Sequence, residues 1–179
     1  AFTRETTMVG TANADLWVRT EVDDVPLSVT LSEVRADGDE TYVQSGWMLA
    51  QHRKLAAGST ELDPQHTGYE SDAEPMPHGE WQRIEIEVFP FAHVFRPGSR
   101  LRLSVHTPGG DRPRWAWILP EYDLPPVIEI AHHADHPSRL VLPVVAPLAS
   151  YPSDPPPCPS LRGQPCRAFE PYENRRVDG

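Results

Sequence analysis

No stretch of this 179-residue chain approaches the roughly 20 consecutive apolar residues that a helix needs to cross a bilayer, so no transmembrane helix is expected and no membrane partner. Basic charge is scarce as well. Sixteen Lys and Arg face 26 Asp and Glu, for a formal charge of -10, and nucleic-acid binding requires clustered cations that displace counterions from phosphate. No G-x-S-x-G occurs. Ser45, Ser59, Ser99 and Ser138 all lack the glycine frame that would expose a nucleophile on a strained strand-to-helix turn. A self-contained α/β-hydrolase is thereby excluded, and no catalytic residue is assigned. No cofactor motif is present, and none is expected. The chain opens AFTRETTMV, without an initiator Met or the basic-then-apolar pattern of a leader, so Ala1 reads as a cut.

Only two cysteines are present, in CPSLRGQPC. Cys158 and Cys166 lie too far from any His pair for a four-ligand zinc site. They form either a short disulfide loop, which favours an extracellular chain, or two free thiols inside a cell.

What the chain does have is alternation. Ile84, Ile86 and Val88 oppose Arg83, Glu85 and Glu87; Leu101, Leu103 and Val105 oppose Arg100, Arg102 and Ser104. The same period predicts strands over 14–20, 27–34 and 41–48, with Asp37 and Gly38 as a hairpin turn. Two more strands are expected over 127–131 and 140–145, and a compact turn over 91–98. Seven or so strands and no helical period point to an all-β fold, a jelly-roll-like antiparallel β-sandwich of galactose-binding-like type. Residues 1–146 form this domain. Residues 147–179 form a Pro-rich tail that lies extended, pinned by Tyr151, Phe169 or Tyr172.

Residues 49–79 show no period and form a connection far longer than the usual 2 to 6 residues, which marks them as functional or docked on a surface. Candidate contact residues are Trp47, the loop residues His52 and Arg53, and Trp115 and Trp117 in RWAWI. Trp47, Trp81, Trp115 and Trp117 could serve as a sugar platform, and Trp115 and Trp117 could instead be the surface for a partner domain. His132, His133, Asp135 and His136 crowd potential ligands into five residues, but their spacing matches no standard zinc pattern, and the segment reads as a polar turn ended by Pro137. No metal site is assigned. Arg96, Arg100, Arg102, Arg112 and Arg114 read as a solvated sheet face.

Taken in order, four blocks carry a resemblance: GTANADLWVRTEVDDVPLSVTLSEVRADGDETYVQSGW, AQHRKL, FPFAHVFRPGSRLRLSVHTPGGDRP and HPSRLVLPVV. Over about residues 7–145 the chain resembles the carboxy-terminal non-catalytic domain of the X-Pro dipeptidyl-peptidase and cocaine-esterase-like serine hydrolases. The resemblance implies a jelly roll packed on an α/β-hydrolase catalytic domain that bears the Ser-Asp-His triad. None of that triad maps onto this sequence. The implied role is an accessory domain that shapes the substrate cleft and is inactive alone, with oligomers possible. The alternative from another class is a free-standing carbohydrate-binding module.

Overall fold

The structure, a computed structural model, describes residues 1–108, 120–146, 154, 155, 157, 158 and 166–171. Its long strands are β1 (Thr6–Arg19), β2 (Pro26–Val34), β3 (Asp39–Leu49), β4 (Gln82–Phe95) and β5 (Arg100–His106). Six short ones follow: β6 (Glu129–Ile130), β7 (His132–His133), β8 (His136–Pro137), β9 (Arg139–Val141), β10 (Val144–Val145) and β11 (Arg167–Ala168). Every pairing among the described residues is antiparallel. The only helical pieces among them are two single 3₁₀ turns, Ala50–His52 and Glu70–Asp72. The all-β sandwich expected from the alternation is the fold observed.

One sheet is organised on β1. β4 pairs along one edge of β1, while β10, β9 and β6 pair in succession along the other. The second sheet runs β11-β3-β2-β5. Between them lies a core of Met8, Ala12, Ala14, Leu16 and Val18 from β1, Leu27, Val29 and Leu31 from β2, and Ile84, Ile86, Val88 and Phe95 from β4. Apart from Phe95 these are the alternate residues of each strand, so the period of two in the sequence marks the side that faces the apolar core.

Three boundaries differ from the sequence expectation. β1 begins at Thr6 rather than near residue 14, because Gly10 and Ala12, which continue the inward alternation from Met8, have side chains too small to signal it. β4 runs on to Phe95, into the segment read as a turn, and the turn itself is confined to residues 96–99, where Ser99 N donates to Arg96 O at 3.0 Å. Phe89 and Pro90 together oppose Thr11, since Ala12 pairs with Val88 and Gly10 with Phe91. This bulge inverts the parity of inward residues, from Ile84, Ile86 and Val88 before it to His93 and Phe95 after it. The stretch expected as one strand over 140–145 is two, because Pro143 lacks the amide donor that would continue the ladder. Its carbonyl still accepts from Val9 N at 3.0 Å.

The sheets approach most closely where β3 crosses β4. A Cβ added to Gly46 would fall inside the van der Waals envelope of the Glu87 carbonyl and lie 3.2 Å from Val88 Cα. Both obstacles are backbone, so no rotamer change relieves them. Gly46→Ala is expected to destabilise the domain by roughly 1–3 kcal/mol in urea denaturation. Gly58→Ala, whose methyl would meet only Gln65 Oε1 at 3.6 Å, should change stability by less than about 1 kcal/mol.

Candidate functional site

The long connection over residues 49–79 is ordered by its own polar contacts. Asp24 Oδ1 accepts from the backbone amides of Val25 and Gln51, at 2.9 and 2.8 Å, and so fixes the 3₁₀ turn that carries His52. Arg53 Nη1 donates to Glu74 O at 2.6 Å, and its Nη2 reaches Pro75 O at 3.4 Å. Arg53 thus ties the two ends of the connection together, helped by Lys54 on Asp72 at 2.6 Å. Between them the chain doubles back, with Ala56 N donating to Gln65 O and Thr67 N to Lys54 O.

The far end of this connection rests on the outer face of the β1 sheet. Asn13 Nδ2 donates both to Glu61 O at 3.0 Å and to Glu85 Oε2 at 2.8 Å, and Arg139 pairs with Glu61 at 2.9 Å. The polar side of β1 and β4, which alternation alone assigns to solvent, is therefore largely covered. Burial pushes Glu87 up, with the Asp63 carboxylate adding to the effect, and burial pushes His66 down.

Three buried carboxylates organise the rest. Asp15 is held by Arg83 at 2.7 and 2.9 Å and by Arg139 at 2.7 Å. Glu40 accepts from Ser32 Oγ at 2.6 Å and pairs with Arg102 and Arg167 at 3.0 and 3.3 Å. Glu33 accepts from Ser99 Oγ at 2.6 Å and sits 2.9 Å from His93 Nε2. Burial by itself would raise all three, but the hydrogen bonds and cationic neighbours outweigh it and hold each below the ordinary carboxylate range.

The Glu33 group brings a serine, a histidine and an acid together, yet in the wrong order for hydrolysis. A charge-relay array needs imidazole against the serine hydroxyl, with the acid behind the imidazole. Here the carboxylate stands between the other two, so Ser99 donates to a weakly basic carboxylate and not to the imidazole. The three groups close the end of the sandwich, where Phe2 and His93 both stack on Phe95 at 4.9 and 4.8 Å.

Of the residues singled out by sequence, Trp47 lies edge-on to Phe89 at 4.9 Å. His52 and Arg53 follow within a few residues along the chain, at the end of β3. Trp115 and Trp117 lie outside the described residues, as do Arg112, Arg114, Tyr151 and Tyr172. Arg100 and Arg102 are not a bare solvated face: both guanidiniums stand over the Phe169 ring, at 5.0 and 5.3 Å. Among the described residues, Phe169 is the tail ring held on the sandwich. The sulfurs of Cys158 and Cys166 are placed as a bonded pair, with their Cα atoms 5.6 Å apart.

Trp17 and Trp81 form a cluster that the strand pattern does not single out. His136 lies 4.7 Å from Trp17 and 5.6 Å from Trp81, His133 lies 6.0 Å from Trp81, and the Arg19 guanidinium stands 4.7 Å from the Trp81 ring. The two-strand turn β7-β8 brings both imidazoles onto the tryptophans. The signal available in sequence was Trp17 and Arg19 on the polar side of β1, opposite a His-rich turn.

Comparison with known proteins places these features. The family described as "X-Pro dipeptidyl-peptidase C-terminal non-catalytic domain" matches residues 1–136. The chain belongs to this family. A Mycobacterium bovis protein named "Putative serine esterase" is 30% identical over 135 residues, which are 74% of this chain and 21% of that protein. A CocE/NonD family hydrolase from Staphylococcus aureus superposes with a TM-score of 0.69 at 25% identity, over 81% of this chain and 29% of that one. An aminopeptidase from a marine sediment thaumarchaeon shares the fold, with a TM-score of 0.58 at 15% identity over 81% of this chain and 24% of that one. This X-Pro dipeptidyl-peptidase C-terminal-type domain thus spans about a fifth of the curated relative that it matches.

A carboxyl whose folded pKa is depressed adds stability that is complete above its unfolded value of about 4 and is lost as pH falls through the folded value. Asp15, Glu33 and Glu40 all act in this direction. Glu33→Gln is expected to lower stability at pH 7 by about 3 kcal/mol. Urea midpoints should also show a shallower loss for the variant than for the unmodified chain between about pH 5 and pH 3.

Proposed function

We propose that this chain is the accessory β-domain of a serine hydrolase, packing on an α/β-hydrolase catalytic domain, lining one wall of its substrate cleft and hydrolysing nothing alone. The carrying observation is the Glu33 group inside a domain of a non-catalytic family: Ser99 and His93 share an acid between them, and neither activates the other. The esterase name of a relative supports acyl hydrolysis by the assembled enzyme, and the dipeptidyl-peptidase in the family's description supports peptide-bond hydrolysis.

The contact surface falls to the end of β3 and the long connection beyond it. Trp47, His52 and Arg53 lie there and the connection leaves Tyr69 69% exposed; the same role is proposed for Trp115 and Trp117, which lie outside the described residues. A carbohydrate-binding reading needs open aromatic faces. Trp17 and Trp81 instead have their rings engaged by His133, His136 and Arg19.

The test uses a p-nitrophenyl ester and an X-Pro p-nitroanilide. The chain alone should turn over neither. Added to a catalytic domain of this family from which the β-domain has been removed, it should bind saturably and raise that domain's melting temperature. Turnover by the isolated chain, or saturable glycan binding with no affinity for the catalytic domain, overturns the reading.

A further inference from the structure

Where the tail returns to the sandwich, three ligand-type side chains converge. The Asp39 carboxylate and the sulfurs of Cys158 and Cys166 all lie within 4.8 Å of one another. Register explains why. Ala168 pairs with Asp39 and Arg167 with Glu40, so Cys166, two residues before Ala168, projects on the same face as Asp39 and is its diagonal neighbour. Asp39 is itself fixed by the β2-β3 turn: its carbonyl accepts from Arg35 N at 2.8 Å and its amide donates to Asp37 Oδ1 at 3.0 Å.

The seat of β11 does not depend on the sulfur bond. Phe169 N donates to Gly38 O at 2.9 Å, Arg167 pairs with Glu40 at 3.3 Å, and the Phe169 ring lies under Arg100 and Arg102. These contacts use no sulfur atom, so they hold Cys166 beside Asp39 in either redox state.

We propose that in the reduced chain Cys158, Cys166 and Asp39 form a three-ligand site for a thiophilic divalent ion of the zinc type. The same point of the fold is then closed by a disulfide in an oxidising compartment and by a metal in a reducing one. To reach the metal form, the S–S bond takes up two electrons and two protons from a dithiol, which leaves as its own disulfide. The ion then displaces both thiol protons to solvent and forms two metal–sulfur bonds and one metal–oxygen bond. Water completes the tetrahedron. Two thiolates with one carboxylate suit zinc or cobalt over magnesium or calcium, which prefer oxygen ligands throughout.

Cobalt is the probe, because thiolate ligation gives it a near-ultraviolet charge-transfer band that imidazole and carboxylate do not. The full chain, reduced with a phosphine and desalted, is titrated with Co²⁺ and then with Zn²⁺. The expected result is one thiolate-bound ion per chain, displaced by zinc, and no such band in the oxidised chain. Cys166→Ser and, independently, Cys158→Ser should weaken the band severely. Asp39→Asn should lower affinity on the order of tenfold or more, while Asp123→Asn, at an exposed carboxylate outside the cluster, leaves it unchanged. Cobalt uptake without the sulfur band, or equal affinity in Asp39→Asn and the unmodified chain, overturns the site.

Discussion

β1 is hydrogen-bonded along both of its edges, and its sheet exists through it. β4 runs beside it in register from Thr6 to Val18 with one interruption, while three separate short strands attach to the opposite edge at Thr7–Met8, Asn13–Asp15 and Val18–Arg19. Those short strands have two or three residues each, too few to hold a sheet by themselves. Their positions follow from an existing ladder. The inner face of β1 supplies Ala12 and Ala14 at its middle, small side chains that let the two sheets approach, and Gly46 on β3 completes that approach against β4.

Three of the buried carboxylates each tie together elements that are distant in sequence. Asp15 joins β1 to β4 and to β9, Glu33 joins β2 to β4 and to the turn before β5, and Glu40 joins β3 to β5 and to the tail. A desolvated carboxylate is costly unless it is fully partnered, so the partners become obligatory and the elements that carry them acquire fixed places. The acidic composition that argues against nucleic acid in the sequence is partly turned inward as structure.

Much of the fold was legible because the apolar side chains of the long strands alternate, even where both faces of a strand are buried. Leu27, Val29 and Leu31, and Ile84, Ile86 and Val88, announce both the strand and its inward face. The extent of β1 was hidden because Gly10 and Ala12 carry almost no hydrophobic signal, and that of β4 because a single bulge inverts the parity on which the reading depends. The long connection was recognisable as exceptional. That it rests on Asn13 and Arg139 was not, since pairing across 48 or 78 residues leaves no local trace. Arg53 stood out beside His52, but its donors face inward to Glu74 and Pro75, a role that composition cannot distinguish from contact with a partner.

The bulge at Phe89–Pro90 has a consequence for how the molecule behaves in a crowd. β4 is fourteen residues long and is the outermost strand of its sheet among the described residues. A flat border of that length, with unsatisfied amides and carbonyls at regular intervals, is a template on which another chain can crystallise into continuous cross-molecular sheet. Pro90 removes one amide from the row, and the added residue kinks the border so that no straight strand can follow it past its midpoint. The irregularity that obscures β4 in the sequence thus also makes this border a poorer template for continuous intermolecular sheet than a regular strand of the same length.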